Sequence, residues 1–215
     1  IFEDLDKGNP EFVWDSFHKY ATTLSGMPFP VVYTFPIALS YDPRFADLEG
    51  DYFQVKTLPM IKLTDIHNHF YRDGYETIIQ IMKKRTNPEL FSEAALRLMV
   101  EKTGGSLRDL FRVITSCSQR YIGREGSAIT EEDAKNSLVE LRSSLTRRIE
   151  ERDYDFLAAI YKDESNRRGI NDRKTLEKML QAGVVLEYNG ERWHNVHPLV
   201  VDFLQDLGRI PRGTP

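Results

Sequence analysis

From Gly74 to Glu150 the apolar residues recur at helical spacing and no strand pattern interrupts them, so this stretch is constrained to a packed set of helices. Tyr75 to Lys84, Pro88 to Lys102 and Ser106 to Tyr121 each read as a helix, with Gly104-Gly105, then Gly123 and Gly126, marking ends. Thr130-Glu131-Glu132-Asp133 opens a longer helix that runs towards Arg152. Thr130 is its expected N-cap, Asp133 stands where a capping box needs an acid, and the leading carboxylates favour the helix dipole.

The chain before this block has a different texture. Ile1 to Leu5 reads as the end of a buried strand, and Asn9-Pro10 opens a helix through Phe12, Val13, Phe17 and Tyr20 that Ser25-Gly26 stops. Phe29-Pro30-Val31-Val32-Tyr33-Thr34-Phe35 is aromatic and β-branched, as a central parallel strand is, with Pro30 tolerable only near its start. Tyr52 to Leu58 reads as a further strand. After the helical block, Phe156-Leu157 and Ile160-Tyr161 mark a short helix, and Asp172 caps another through Leu176, Met179 and Leu180. Val184 to Tyr188 and Arg192 to Val196 flank Asn189-Gly190-Glu191, a strong hairpin signal, and a last helix runs from Pro198 to Leu207. The expected fold class is therefore α/β followed by all-α, in three parts: a partial parallel sheet over residues 1–63, a helical block over 64–150 and a winged-helix-like domain over 151–215.

With 215 residues, 40% of them hydrophobic and 29% charged, the chain can bury a substantial core. A net charge of −4 gives no compositional support for coating nucleic acid. Its apolar runs fall short of the roughly 20 residues that a membrane-spanning helix needs. A single cysteine, Cys117, and the lack of a basic, apolar, small-residue leader pattern favour the cytoplasm. Because the chain opens on Ile1-Phe2 with acids behind the pair, it is expected to begin inside a strand, with upstream residues belonging to the natural protein.

The chemistry expected of Ile1-Phe2-Glu3-Asp4-Leu5-Asp6 follows from what nucleotide hydrolysis requires: one acid near Mg2+ and one that polarises the attacking water, both at a strand's carboxyl end. Taken alone, such acids are more commonly a solvated turn. In order, however, this run, Val31-Val32-Tyr33-Thr34, Leu90-Phe91-Ser92-Glu93-Ala94, Gly104-Gly105-Ser106-Leu107-Arg108-Asp109 and Ile129-Thr130-Glu131-Glu132-Asp133-Ala134 resemble the back half of bacterial AAA+ and STAND-type P-loop ATPases, from Walker B onward. The resemblance implies ATP and Mg2+ as cofactors, with Glu3 on the metal, Asp4 as base, Asp6 behind them, Thr34 as sensor 1 and Arg108 as sensor 2 on a helical lid. It also implies that Arg44, in Tyr41-Asp42-Pro43-Arg44-Phe45, acts on a neighbour's nucleotide as an arginine finger, although an ordinary loop arginine is the commoner reading. The Glu3-Asp4 order departs from the usual Asp-Glu, and the shorter base implies slow turnover.

No G-x-x-x-x-G-K-[ST] occurs anywhere, so the chain is expected to need a Walker A portion of the same protein and to hydrolyse no ATP alone. An incomplete sheet with an open edge is expected to self-associate. Arg108 could equally be an exposed helix arginine pairing with Asp109 or Asp133. Asp65-Ile66-His67-Asn68-His69 has the spacing of an amidohydrolase metal strand, but that chemistry needs a barrel of about 250 residues, and His67 and His69 are expected in a loop. His194 and His197 lack a third ligand for zinc. The expected function is an ATP-dependent switch that signals to a protein through its tail. The alternative is a winged-helix DNA- or protein-binding module on a degenerate ATPase scaffold. DNA is the less favoured partner because Arg173-Lys174-Thr175-Leu176-Glu177-Lys178 is only mildly basic and Glu187 and Glu191 sit on the wing.

Overall fold

A computed structural model describes residues 10–52, 54–122, 128–188 and 192–212. The chain divides into two compact units, one made of residues 1–58 with 170–181 and the other of 59–169 with 182–215.

In the first unit Pro10 occupies the first turn of α1 (Pro10–Lys19), where its missing N–H costs nothing. Val13, Trp14 and Phe17 form the buried stripe of this helix, and Ala21 continues it into α2 (Ala21–Ser25). Phe12 and Tyr20, expected in that stripe, are 69% and 61% exposed. A 3-10 turn over Ile37–Tyr41 and α3 (Phe45–Asp51) follow, and α10 (Arg173–Ala182) belongs here through Gln181.

The parallel sheet of a P-loop core, expected over residues 1–63, is corrected by this structure. Among the described residues the one sheet is a two-stranded antiparallel pair far along the chain, and helices dominate the remainder. Phe29 to Phe35 forms no strand, and Tyr33 is the one bridged residue in it. Pro28, Pro30 and Pro36 have no N–H to give to a ladder. Phe29 and Val32 are 57% and 58% exposed, whereas a central parallel strand is covered on both faces. The apolar content goes into a ring cluster instead: Phe17 lies 5.6 to 6.0 Å from Tyr33, Phe35 and Tyr52. Tyr33 and Tyr52 donate their hydroxyls to the carbonyls of Leu24 and Phe17 at 3.1 and 3.0 Å. Tyr52 to Leu58 likewise forms no strand among its described residues, and Leu58 is 92% exposed. Among the described residues there is no open parallel edge, so the self-association expected on that ground loses its premise.

The second unit is the helical block and tail. It contains α4 (Arg72–Arg85), α5 (Glu93–Lys102), α6 (Leu107–Tyr121), α7 (Glu131–Thr146), α8 (Tyr154–Lys162), α9 (Glu164–Arg168) and α11 (Pro198–Asp206). Helices α5, α6 and α7 pack on one another around Ala95, Met99, Leu110, Cys117, Ala134 and Leu138, and α11 packs on α5 and α7. The starts of α5 and α7 are tied by a parallel bridge between Phe91 and Ile129. Thr130 caps α7 with Asp133 in a complete capping box, while Ser92 and Ser106 cap α5 and α6. Helix α7 stops at Thr146, short of Arg152.

Strands β1 (Val185–Tyr188) and β2 (Trp193–Val196) pair with Val185 opposite Val196 and Tyr188 opposite Trp193, whose rings stack at 4.5 Å. Every residue of both strands is buried. Met60 bridges Tyr188 in parallel and donates its N–H to the Glu187 carbonyl at 3.0 Å. Among the described residues no helix is long and apolar enough to cross a membrane.

Candidate functional site

The corner between α5 and α6 is where the second unit concentrates its unusual geometry. Gly104 and Gly105 adopt φ of +60° and +84°, a region costly for residues with a Cβ. A Cβ on Gly105 would lie 1.7 Å from the Ile61 carbonyl oxygen, and one on Gly104 would lie 2.7 Å from Pro198 Cδ and 2.8 Å from Leu186 Cδ1. Four segments thus meet here: the α5–α6 corner, β1, the first turn of α11 and the extended residues around Ile61. Hydrogen bonds fasten the same corner, since Ile61 donates its N–H to the Gly105 carbonyl at 3.3 Å and Tyr188 donates its hydroxyl to the Gly104 carbonyl at 2.7 Å. Burial pushes the Tyr188 hydroxyl's pKa up, so it stays a donor.

Helix α6 starts from this corner. Ser106 Oγ accepts the Asp109 N–H at 3.3 Å and donates to Asp109 Oδ2 at 2.9 Å. Arg112 Nη1 donates to Asp109 Oδ1 at 3.4 Å. Asp109 is 7% exposed, so its carboxylate is held by its own helix. His197, immediately before α11, is 0% exposed; its Nδ1 accepts the Leu199 N–H at 3.2 Å, which leaves Nε2 to carry the proton of the neutral ring. That Nε2 has no hydrogen-bond partner, and Asp109 Oδ2 stands 3.7 Å away, beyond hydrogen-bond length. A buried donor left in this state costs about 1–3 kcal/mol. Burial lowers the His197 pKa to about 4 against the opposing pull of Asp109 and Asp202, so the ring is neutral near pH 7.

Arg108 is exposed in the first turn of α6 and lines an open groove with Phe111, Arg112, Thr115, Ser116 and Glu140. Beneath that groove Cys117 Sγ lies 3.2 Å from Ser137 Oγ, and burial pushes the thiol's pKa up, so the sulfur is not a poised nucleophile.

The remaining predicted site residues are dispersed. Glu3, Asp4 and Asp6 lie outside the described residues. Thr34 is half-buried in the extended segment that forms no strand, within the first unit. Arg44 also belongs to that unit: its guanidinium sits 4.4 Å over the Trp14 ring, donates from Nε to Asp42 Oδ1 at 2.9 Å and lies 3.8 Å from Glu11. The side-chain hydrogen bond from Arg44 lowers the Asp42 pKa. Arg108 belongs to the second unit, so the structure gathers Thr34 with Arg44 in one compact unit and Arg108 in the other.

The histidines of the 65–69 stretch fall in a loop. Asp65 Oδ1 accepts the N–H groups of His67 and His69 at 2.8 and 2.9 Å, and Asn68 adopts φ of 67°. His67 Nδ1 lies 2.8 Å from Glu164 Oε2. Among the described residues no group of three or more His, Cys, Asp or Glu is placed to hold a metal ion. Arg167, 4% exposed, donates to the carbonyls of Ile66, Ile160 and Tyr161, and burial lowers its pKa. Its role is to tie this loop to α8 and α9. His194 Nδ1 is 3.2 Å from the Arg167 carbonyl, which places it inside the same knot.

The Asp109–His197 pair was not read from sequence. From sequence Asp109 is a possible partner of Arg108, and His197 an incomplete zinc ligand. The available signal was His197-Pro198, a polar residue ahead of a helix-starting proline, which marks an N-cap and hence a ring anchored to a helix start. No protein-family model matches the chain, and the searches of curated proteins and of solved structures likewise gave no match.

Proposed function

We propose that this chain is the lid and tail of an ATP-dependent switch of the AAA+/STAND type, in which Arg108 contacts nucleotide phosphate and the hairpin with α11 signals to a protein. The observation that carries this reading is the placement of Arg108. It is exposed on the first turn of a helix whose start is held by Ser106 and by the packed Gly104-Gly105 corner, and it shares a groove with Arg112. A guanidinium can grip phosphate oxygens bidentately, and a helix start favours an anion. Arg112 is engaged with Asp109 and Glu140 lines the same groove, so the phosphate contact is assigned to Arg108 alone.

The parallel sheet is not part of the proposal. The sequence has no G-x-x-x-x-G-K-[ST], so the phosphate cradle and its lysine come from polypeptide other than these 215 residues. Glu3 and Asp4 are the acids proposed for Mg2+ and for the attacking water, Thr34 for sensing and Arg44 for action on a neighbour. Mg2+ needs few protein carboxylates, since it keeps several waters. A cytoplasmic setting accords with a single, buried cysteine. The tail's partner is proposed to be a protein rather than DNA because Arg173-Lys174-Thr175-Leu176-Glu177-Lys178 is only mildly basic for a groove-reading helix.

The test is Arg108→Ala in the protein that carries a Walker A loop together with this chain. Loss of one charge-assisted contact, roughly 1.5–3 kcal/mol, is expected to weaken Mg-ATP binding by about 10- to 100-fold. Wild-type affinity and turnover in that variant would remove Arg108 from the nucleotide site.

A further inference from the structure

Each member of the Asp109–His197 pair is fastened to its own helix, so the gap between them measures where those helices stand. Asp109 is held by Ser106 and Arg112, both belonging to the start of α6, and moves with that helix. The His197 ring is fixed through Nδ1 to the Leu199 N–H, and moves with α11. Across the gap Nε2 and Oδ2 are 3.7 Å apart, and Nε2 is buried with no partner. Closing to an ordinary hydrogen bond needs a movement of roughly 0.8 Å. Pro198 lies against Gly104, and Tyr188 is bonded to the Gly104 carbonyl, so the same small movement engages β1 as well. The neighbouring charge, Asp202 on α11, is held by Lys102 of α5 at 2.6 Å, which leaves Asp109 as the acid that faces the ring from α6.

We propose that Asp109 and His197 form an open clasp that closes when Arg108 is drawn to a phosphate, so that His197 is the positioning residue carrying the state of α6 to α11 and the hairpin. The clasp rests on the reading of Arg108 as a phosphate contact. A buried donor facing a carboxylate just out of reach makes two arrangements available, one with the donor idle and one with it satisfied, which is what a switch element requires.

Isosteric replacement separates the two ends of the ring. His197→Asn retains an acceptor where Nδ1 stands and falls short of Asp109, whereas His197→Gln places an amide nitrogen where Nε2 stands. In the protein carrying a Walker A loop with this chain, Mg-ATP is expected to slow amide exchange across Val185–Tyr188 and Pro198–Asp206 by about tenfold or more in the wild type. His197→Gln should keep that response, and His197→Asn should lose it and, because coupling is reciprocal, bind Mg-ATP more weakly by about tenfold. Should His197→Asn fail to fold, Asp109→Ala is expected to lose the same response. Wild-type protection in His197→Asn, or in Asp109→Ala, overturns the clasp alone. Unchanged ATP binding in Arg108→Ala instead overturns the nucleotide reading beneath it. Imidazole nitrogen NMR of the 215-residue chain must show the Nε2–H tautomer at His197; the Nδ1–H form also overturns the clasp.

Discussion

His197 gives the molecule a pH dependence whose sign follows from burial. Its pKa is lowered from the ordinary 6.5 to about 4, chiefly because the ring is removed from water, with Asp109 and Asp202 opposing. Between those values the unfolded chain takes up a proton that the folded chain refuses. Stability contributed by the neutral ring is therefore present above about pH 6.5 and lost as pH falls towards 4, by up to about 3 kcal/mol. Urea midpoints measured from pH 7 down to 4.5 are expected to fall in the wild type, with a shallower fall in His197→Gln. Parallel curves would show that His197 is not the proton acceptor. The same scale explains the paired glycines. Gly104-Gly105 is legible as a helix boundary, but the Ile61 carbonyl that excludes a Cβ at Gly105 approaches from residues far back in the chain. Local sequence marks such a corner without saying what passes over it.

The start of α7 was legible because capping is settled within four residues, whereas the helix expected from Pro88 begins at Glu93, after a separate 3-10 turn over Pro88–Leu90. Thr130 Oγ1 accepts the Asp133 N–H at 3.3 Å, and Asp133 Oδ2 accepts the Thr130 N–H at 3.0 Å, as the Thr-x-x-acid pattern implies. Thr130→Ala is expected to cost about 1 kcal/mol, read as a lowered urea midpoint with unchanged slope, and Thr130→Ser to restore most of it. A midpoint unchanged in Thr130→Ala would show that packing on α5 and α6 alone sets the start of α7. The elements of the first unit were legible only where they are helical. Phe29 to Phe35 has strand composition, yet strand propensity expresses the fit to a sheet surface, and here the neighbours are Phe17 and Tyr52. Rings that could have lined a strand serve a cluster around α1.

At the scale of the whole molecule the chain crosses between its compact units after Leu58, Gly169 and Gln181, so α10 through Gln181 and the hairpin that follows it in sequence belong to different units. The 215 residues by themselves are expected to bind Mg-ATP no more tightly than about millimolar, because the backbone cradle that makes most phosphate contacts is absent from the sequence. Isothermal titration checks this, and low-micromolar binding would place a nucleotide site elsewhere on the chain. The sequence by itself determined the helical block, the cap of α7, the hairpin and the terminal helix, all features fixed by period, by turn chemistry or by residues within a few positions of one another. Only the tertiary structure decided that the apolar run at 29–35 forms no ladder, that strands β1 and β2 are buried, and that Asp109 faces His197 across a gap. Each of these depends on which distant segments are brought together, and burial, unlike a cap or a helical period, belongs to the assembled chain.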